Sequence, residues 1–530
     1  MSSSPPILVV GGGPAGSTVS ALLAQRGFPV LLFERSKFPR DHIGESLLPA
    51  TLATLELSGA LDAVKGAGFV EKAGATMVWG IEKEPWTWYF RETNTRFPHS
   101  YQVNRPEFDQ ILLQYARDVG VRVYEQTRID EVLFECERAV GVRIRDRSIE
   151  GSFVIDATGQ SCLISSTLNM RMWDEMFTNL AIYAYFSNGR HLEGENRGNI
   201  LIESVPSGWL WKIPLKNDMS SVGLVADRDS MVPTMRQRGI PAVYSSAIEE
   251  SSIVNDLLSD AQRSSNPVVT RDWSYQSRKF AGPGWVCVGD AACFIDPLFS
   301  TGVHLAVSGA FIAAALVETA LNSPDLVCEA SESYDQLYRQ QYEHFRELTA
   351  LFYAGNRTID SYFWESRRIA NQKGYSPREA FIRTVSGQDV AGYERSVLQR
   401  ADTPVEFRKL LEQLDSDRTQ RHKNLCQADV MDATVVVKPG IEIKSAAILD
   451  GSQFTRGNVI RSKERVDVPV SDFVADIVQY CNDPISVSSL VQRFPDSSSQ
   501  SHLIDLIHSA VSVLVTDGIL ELKETTSRSR

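Results

Sequence analysis

Residues 7–34 read ILVVGGGPAGSTVSALLAQRGFPVLLFE, the pattern of a strand, a glycine turn, a helix and a second strand. In the turn, Gly11 permits a sharp change of direction, Gly13 lets a pyrophosphate approach the backbone, and Gly16 lets the helix pack against the strand. The helix N-terminus adds free N–H groups and a partial positive charge. Glu34 ends the second strand with a carboxylate suited to ribose hydroxyls. The stretch predicts a dinucleotide site, the alternative being a glycine-rich loop in another α/β domain.

Length and charge limit the classes of function. The chain has 530 residues, enough for a large core, and a net charge of −12 without a basic block, which argues against nucleic acid as a partner. We find no apolar run near the ~18 residues of a membrane span. Residues 1–6 lack the basic and apolar regions of a signal peptide. We therefore expect a cytoplasmic protein that does not enter a membrane.

The cysteines argue against a metal or disulfide framework. There are seven, they are scattered, and none forms a CxxC pair. An odd, scattered set is typical of reduced, mostly buried thiols. We expect no metal site.

Two later segments predict further strands of the cofactor sheet. Residues 153–159 and 285–292 are apolar runs that end in glycine turns, as buried parallel strands do. Asp290, in the second of these turns, can hold a ribitol hydroxyl beside the phosphate turn. Gly44-Glu45-Ser46, in front of an apolar helix, can be a loop that lines the cofactor.

Two basic residues can be interpreted in two ways each. Arg105 begins a predicted helix and can reach a phosphate or ribose, or it can simply pair with Glu107 or Asp109. Lys72 lies between a predicted helix and strand, and by its residue type alone it is expected to be a solvated surface lysine.

The pattern of apolar and polar residues changes three times along the chain. We assign residues 1–325 to an α/β body, within which residues 179–275 alternate as an antiparallel sheet on the substrate side. Residues 326–430 are predicted to be helical. Residues 431–530 are predicted to form a small C-terminal module.

Several motifs together resemble a known family. The first glycine turn and the strand ends at 156–159 and 289–292 are similar to the FAD-binding fold of group A flavin monooxygenases. The segment Trp209-Leu210-Trp211-Lys212-Ile213-Pro214 matches the WxWxIP motif of flavin-dependent halogenases, and so do Gly44-Glu45-Ser46, Lys72 and Ser300-Thr301-Gly302. The resemblance covers residues 5 to 400.

Within that family the chain is most similar to the branch that halogenates substrates carried on acyl- or peptidyl-carrier proteins, such as the halogenases of chondrochloren and chloramphenicol biosynthesis. The motifs concerned are residues 272–275, 296–299 and 360–364. The resemblance implies a carrier protein and a separate flavin reductase as partners. It also implies an antibiotic or other natural-product pathway.

The resemblance implies a reaction with three stages. Reduced FAD, O₂ and chloride or bromide give hypohalous acid, with the halide at Ser300, Thr301 and Gly302. The acid passes to Lys72, which delivers the halogen to an electron-rich carbon. Trp209 and Trp211 keep the organic substrate away from the flavin.

The residues expected at the flavin come from the whole body. Asp272 is in addition the candidate for a covalent tether to the flavin. The cofactor-binding set is Gly11, Gly13, Pro14, Ala15, Gly16, Glu34, Arg35, Glu45, Ser46, Arg105, Asp272, Asp290, Gly302 and Val303.

One position departs from the free-tryptophan branch, in which a glutamate precedes Ser-Thr-Gly. Here that position is Phe299, so another acid, or none, must assist Lys72. The alternative function is a flavin monooxygenase or reductase of the same fold. The C-terminal module weakly resembles PqqD-like domains that hold peptides, and it could instead be a lid or a structural part.

Overall fold

The computed structural model describes residues 5–79, 84–92, 94, 96–355, 433–462, 467–494 and 500–523. The described residues fall into two units. The first is drawn from Met1–Asn322 and Tyr334–Arg408, and the second from Ser323–Ser333 and Lys409–Arg530. The aromatic cluster at 362–364 and the C-terminal tail at 524–530 lie outside the described residues.

The strands and helices of the first unit are numbered in chain order. The strands are β1 (Ile7–Val10), β2 (Val30–Phe33), β3 (Val70–Lys72), β4 (Gly74–Val78), β5 (Trp86–Tyr89), β6 (Ser100–Gln102), β7 (Arg122–Tyr124), β8 (Glu131–Glu135), β9 (Arg138–Ile144), β10 (Arg147–Glu150), β11 (Phe153–Asp156), β12 (Arg171–Ser187), β13 (Ile200–Val205), β14 (Gly208–Leu215), β15 (Met219–Asp227), β16 (Gln262–Arg263), β17 (Val268–Ser277), β18 (Ala281–Gly282), β19 (Trp285–Cys287) and β20 (Cys293–Phe294). The α-helices are α1 (Pro14–Gln25), α2 (Pro49–Ser58), α3 (Leu61–Gly66), α4 (Arg105–Asp118), α5 (Leu163–Thr167), α6 (Arg228–Arg238), α7 (Ile240–Glu249), α8 (Ile253–Leu257), α9 (Gly302–Asn322) and α10 (Val327–Gly355), which begins in the second unit. Short 3₁₀ helices span Phe90–Glu92, Gly159–Ser161, Gly194–Gly198, Gly289–Ala291, Pro297–Phe299 and Pro324–Leu326.

The cofactor sheet has the strand order β18-β19-β11-β1-β2-β7. All neighbours are parallel except β18 and β19. Every residue of β1, β2 and β11 is buried. Strands covered on both faces read as continuous apolar runs, which is why the sequence predicted them. The predicted α/β class is confirmed.

The second large sheet has the order β20-β17-β12-β15-β14-β13-β4-β5, with β16 paired to β12. Apart from the parallel pair β13 and β4, its neighbours are antiparallel. The antiparallel sheet expected over residues 179–275 is therefore present. One face packs on α6, α7 and α8 through a core that includes Leu210, Leu224 and Tyr244.

Helix α9 corrects an expectation about membranes. It has the length and apolar composition of a membrane span, although we had found no such run in the sequence. However, 72% of its apolar window is buried within the protein, as in the central helix of a globular core. A helix that is apolar on all sides is what such a central position requires.

Helix α10 carries tyrosines at successive four-residue intervals, Tyr334, Tyr338 and Tyr342, all buried. This spacing places them on one face of the helix. Two of the hydroxyls have partners in the core, because Tyr334 donates to the Cys287 carbonyl oxygen at 2.8 Å and Tyr338 to that of Leu305 at 3.0 Å.

In the part of the second unit that the structure describes there are two small sheets and three further helices. Its elements are β21 (Thr434–Val437), β22 (Ile441–Asp450), β23 (Gln453–Ser462), β24 (Val468–Val470), α11 (Asp472–Tyr480), β25 (Ile485–Ser486), α12 (Val487–Val491), α13 (Gln500–Thr516) and β26 (Leu520–Lys523). The last strand, β26, pairs with β21 at the beginning of this module. The buried Val435 and Leu520 join the helices in one core, and that burial favours the longer-range pairing.

Candidate functional site

The glycine turn between β1 and α1 is as tight as the sequence suggested. At Gly11 the φ angle is +108°, and a Cβ there would lie 2.2 Å from the Ala157 carbonyl oxygen. A Cβ at Gly16 would lie 1.9 Å from the Gly11 carbonyl oxygen, whereas one at Gly13 would meet only the Arg40 guanidinium, at 3.3 Å. Two glycines are thus required by close backbone approach, and the third leaves an open cradle at the helix N-terminus.

Glu34 holds this turn as well as facing the cavity. Its Oε2 accepts a hydrogen bond from the Gly12 backbone N–H at 2.7 Å, and its Oε1 accepts one from the Ser36 N–H at 2.8 Å. The residue is 5% exposed. Each carboxylate oxygen has a second lone pair, so the group can still accept from a ribose hydroxyl.

A cavity of about 730 Å³ extends from the glycine turn between the two large sheets. It is lined by most of the residues that the sequence assigned to a cofactor, namely Gly11, Gly13, Pro14, Ala15, Glu34, Arg35, Glu45, Ser46, Arg105, Asp290, Gly302 and Val303. The two other assigned residues are Gly16 and Asp272. Gly16 acts behind it, through the close contact just described. Asp272 lies on β17 opposite Asn179, and its side chain is outside the described residues.

Two arginines of the cavity wall near the glycine turn share one buried acid. Arg105 pairs with Asp109 through two hydrogen bonds of 2.8 and 3.0 Å, as one of the two interpretations predicted, and it lines the cavity too. Arg40, which we did not single out, lies 3.3 Å from the same carboxylate. Two guanidinium groups therefore share one buried acid, which leaves charge for an anion such as a pyrophosphate.

His42 was also missed by sequence reasoning, and it lines the same wall. The charge of Arg105, followed by burial, lowers the pKa of His42 to about 4. The imidazole is therefore neutral at pH 7. Neither His42 nor Arg40 belongs to a motif; the only signal was their place in the loop that leads to Glu45.

Burial raises the pKa of two acids that line the cavity. Glu45 is 1% exposed and accepts a hydrogen bond from the Tyr185 hydroxyl at 2.9 Å, and burial raises its pKa. Burial also raises the pKa of Asp290 to about 6, although Arg105 opposes the shift. The surroundings of both groups therefore disfavour the charged form more than water does, and the carboxyl oxygens can accept hydrogen bonds from a bound cofactor.

The predicted halide residues form a turn at the start of α9. Asp296 caps the 3₁₀ helix Pro297–Phe299, and Ser300 follows in the left-handed region with a φ of +58°. Thr301 is 2% exposed, and nothing lies within 4 Å of an ideal Cβ at Gly302. Ser300, Thr301 and Gly302 all line the cavity. Free N–H groups at the start of a long helix attract an anion without adding a full positive charge.

The two motif tryptophans lie on β14 and line the cavity together with Ile213. Alternate residues of a strand face opposite sides, so Leu210 packs into the core beneath the other face. The Trp209 Nε1 donates to the Tyr353 hydroxyl at 2.6 Å, and the Trp211 Nε1 donates to Ser221 Oγ at 3.2 Å. Both indoles are therefore fixed by hydrogen bonds as well as by packing.

Lys72 is not a surface lysine, as its residue type alone suggested. It ends β3, is 1% exposed, and donates from Nζ to the Leu47 carbonyl oxygen at 3.0 Å. The amine also lies 5.3 Å from the centre of the Phe90 ring. Burial lowers the pKa of Lys72 to about 7. Lys72 does not line the cavity, but Leu47 directly follows Ser46, which does.

No carboxylate pairs with Lys72 among the residues that the structure describes. Phe299, the residue before Ser300, is buried and packs edge-on against Phe352 with 4.9 Å between ring centres. Within the described ranges there is also no group of three or more His, Cys, Asp or Glu side chains that could hold a metal ion. The amine thus faces carbonyl and aromatic groups.

Comparison with known proteins points to one family. The family model described as "Tryptophan halogenase" matches residues 6–97 and 90–402. A tryptophan 2-halogenase of Chondromyces crocatus is 37% identical over 379 residues, which are 70% of this chain and 72% of that protein. A 1H-pyrrole-2-carbonyl-[peptidyl-carrier protein] chlorinase of Pseudomonas fluorescens is 28% identical over 397 residues, 68% of this chain and 86% of that protein.

Solved structures agree with this. The flavin-dependent halogenase CmlS is 30% identical with a TM-score of 0.78, and the match covers 100% of this chain and 99% of that one. The myxobacterial chondrochloren halogenase CndH is 36% identical with a TM-score of 0.66, covering 78% of this chain and 96% of that one.

Gly223 provides a test of how tightly the tryptophans are held. A Cβ at Gly223 would lie 2.0 Å from the Trp211 ring. We expect Gly223→Ala to displace Trp211 from the cavity wall, to lower the free energy of unfolding by about 1–3 kcal/mol and to weaken FAD binding. Denaturant unfolding and FAD titration by fluorescence measure both effects.

Gly66→Ala is the matched control, because nothing lies within 4 Å of its ideal Cβ. We expect that variant to stay within about 0.5 kcal/mol of the wild type. Wild-type stability and FAD affinity in Gly223→Ala would show that the Trp211 ring is not confined.

Proposed function

The chain belongs to the tryptophan halogenase family and is a flavin-dependent halogenase that uses FAD, a halide and O₂, and we propose that Lys72 is the group that delivers its halogen. In this proposal hypohalous acid forms at the flavin side and crosses to the buried amine. Lys72 then transfers the halogen to an electron-rich carbon of a natural-product intermediate held on a carrier protein.

The burial of Lys72 is the observation that carries the proposal. An amine whose pKa is about 7 is neutral in a large fraction of molecules at pH 7, and only the neutral form has a lone pair to attack the halogen. The amine and HOX give Lys72–NHX and water. Attack by the substrate carbon on X then forms the C–X bond and breaks the N–X bond, and the proton of the replaced C–H bond goes to the nitrogen and restores the amine.

The residues that line the cavity are suited to FAD. It offers an open cradle at Gly13, two guanidinium groups at Arg40 and Arg105 that share Asp109, and a carboxylate at Glu34. Among the described residues, the buried Ser46 Oγ has no hydrogen-bond partner, and the buried Arg40 Nη1 makes no hydrogen bond although it lies 3.3 Å from Asp109. When bound in its reduced form, FAD together with O₂ supplies the two-electron oxidation that turns halide into hypohalous acid.

The other cavity residues have separate proposed roles, according to where they lie. Ser300, Thr301 and Gly302 would hold the halide through N–H dipoles, which bind it less firmly than a fixed cation would and leave it reactive. Trp209 and Trp211 would form the wall that keeps an organic substrate away from the flavin. Asp272 remains the candidate for a tether to the flavin.

We further propose four features of the biological setting. A separate reductase supplies the reduced flavin, and the reaction takes place in the cytoplasm. A carrier protein presents the substrate, an idea supported by the relative that is named for a peptidyl-carrier-protein substrate. The module at 431–530 would help to dock the carrier-bound group or cover the site, in the manner of a PqqD-like domain or a lid.

Product analysis tests the proposed function. We expect candidate substrates attached to a carrier protein to gain the mass of one halogen for hydrogen when incubated with FAD, a flavin reductase, NADH, O₂ and either NaCl or NaBr. The same substrates as free acids provide the control. Mass spectrometry that found hydroxylated products without halogen would favour the alternative, a monooxygenase of the same fold.

Replacing Lys72 should separate activity from stability. The pKa of Lys72 is about 7 in the folded protein and 10.5 in the unfolded chain. Below pH 7 both states carry the charge, and burying it lowers the free energy of unfolding by its full amount. As pH rises from 7 to 10.5 the folded protein loses this proton first, and the free energy of unfolding recovers. Lys72→Met removes this cost. We expect it to abolish halogen transfer, keep FAD binding, and raise the thermal midpoint at pH 7 by roughly 2 °C or more.

Lys212→Met is the matched control, because Lys212 is a second buried lysine, whose pKa is lowered to about 8 by burial. It lies in the WxWxIP segment, and its Nζ bonds to Ser220 Oγ at 3.3 Å. We expect Lys212→Met to retain halogenation. Full halogenation by Lys72→Met would remove Lys72 from the mechanism.

The pH dependence tests the protonation state of Lys72. If the neutral amine captures the halogen, the rate of halogen transfer in a single turnover should rise with pH, with a midpoint of about 7. Rapid-quench measurements on pre-reduced enzyme isolate this step from flavin supply. A rate that fell through the same range would mean that the ammonium form acts, as a hydrogen-bond donor.

A further inference from the structure

A buried chain of hydrogen bonds connects Trp209 to the turn that carries Ser300, Thr301 and Gly302. The Trp209 Nε1 donates to the Tyr353 hydroxyl at 2.6 Å, and that hydroxyl donates to Asp296 Oδ2 at 2.8 Å. The Leu298 backbone N–H donates to Asp296 Oδ1 at 3.1 Å. Trp209, Tyr353 and Asp296 are each at most 1% exposed.

The direction of these bonds follows from the groups themselves. An indole N–H can only donate, so the Tyr353 oxygen must accept from Trp209. The one phenolic proton is then available to the Asp296 carboxyl group, which also accepts from the Asn179 amide at 2.7 Å. Buried polar groups in a low-dielectric interior hold such an arrangement firmly, because each would be costly to leave unpaired.

Packing fixes the position of the phenol as well. The Tyr353 ring lies edge-on against Trp79 and Phe177, with 6.1 and 5.7 Å between ring centres. Tyr353 is on α10, Trp209 on β14, and Asp296 in the loop before α9. One hydroxyl therefore joins three elements, two of which carry residues of the cavity wall.

We propose that Tyr353 is a positioning residue for halogenation. Its hydroxyl holds the Trp209 indole and, through Asp296, the turn at 300–302 in a fixed relation, so that halide is present where the reduced flavin and O₂ react. Without it, the halide captures less of the oxidant, and reduced flavin and O₂ give oxidised flavin and hydrogen peroxide instead. This inference rests on the proposed halide role of residues 300–302.

The test needs no organic substrate. Hydrogen peroxide released per FADH₂ oxidised is measured at increasing NaBr with the full-length protein. In the wild type, bromide should suppress peroxide release, and the bromide concentration for half suppression reports how well the halide is placed. In Tyr353→Phe we expect this concentration to rise roughly tenfold, the scale of one lost buried hydrogen bond.

Tyr244→Phe is the matched control. Tyr244 is 0% exposed and donates to the Val222 carbonyl oxygen at 2.8 Å on the outer face of the same sheet. It loses an equally buried hydroxyl without touching the cavity. We expect it to keep the wild-type bromide dependence, whatever its effect on the thermal midpoint. Equal shifts in both variants would show that only general stability is affected, and would overturn the inference.

A double-mutant cycle tests the connection to Trp209. Trp209→Phe keeps an aromatic ring but removes the donor N–H. If Tyr353 acts through Trp209, adding Tyr353→Phe to Trp209→Phe should change bromide suppression by much less than tenfold. If the two substitutions multiply each other's effects on bromide suppression, or if Tyr353→Phe responds to bromide as the wild type does, the role of Tyr353 is overturned and the proposed halide site is not. Peroxide release insensitive to bromide in the wild type would instead contradict the halide site, and the inference with it.

Discussion

The enclosed amine of Lys72 is the constraint on which the site depends. A lysine taken out of water without a carboxylate partner loses the hydration that stabilises its charge, and its pKa falls accordingly. One carbonyl oxygen, that of Leu47, and the face of Phe90 are the contacts that its Nζ makes in the described structure. They orient the amine without restoring the full preference for the charged form. Placing an acid in contact with it would raise the pKa again and reduce the neutral fraction.

The same segment connects this amine to the flavin cavity. Glu45 and Ser46 line the cavity, and Leu47 holds Lys72. The segment is itself paired with β6 and the residue after it, because the Leu47 N–H donates to the Tyr101 carbonyl oxygen at 2.9 Å and the Val103 N–H donates to the Glu45 carbonyl oxygen at 2.7 Å. A short piece of paired backbone therefore links the cavity wall to the residue that holds the Lys72 amine.

The second large sheet lines the cavity with one face and packs into the hydrophobic core with the other. Trp209, Trp211 and Ile213 face the cavity, whereas Leu210 packs into the core beneath α6, α7 and α8. Gly223 is small because the Trp211 ring occupies the space of its missing side chain. The WxWxIP pattern is thus both a strand signal and a site signal. For the same reason the spacing of its tryptophans predicts that they share a face.

The dinucleotide turn, the parallel and antiparallel sheets and most of the cavity lining could be predicted from the sequence, because these follow from the local spacing of glycine, apolar and charged residues. Contacts between distant segments produce the burial and lowered pKa of Lys72, the sharing of Asp109 by Arg40 and Arg105, and the hydrogen bond between Trp209 and Tyr353, which are 144 residues apart. Such contacts also pair the last strand with β21 and make α9 a core helix. Protonation, burial and pairing depend on atoms brought together from distant parts of the chain, and no local pattern encodes them.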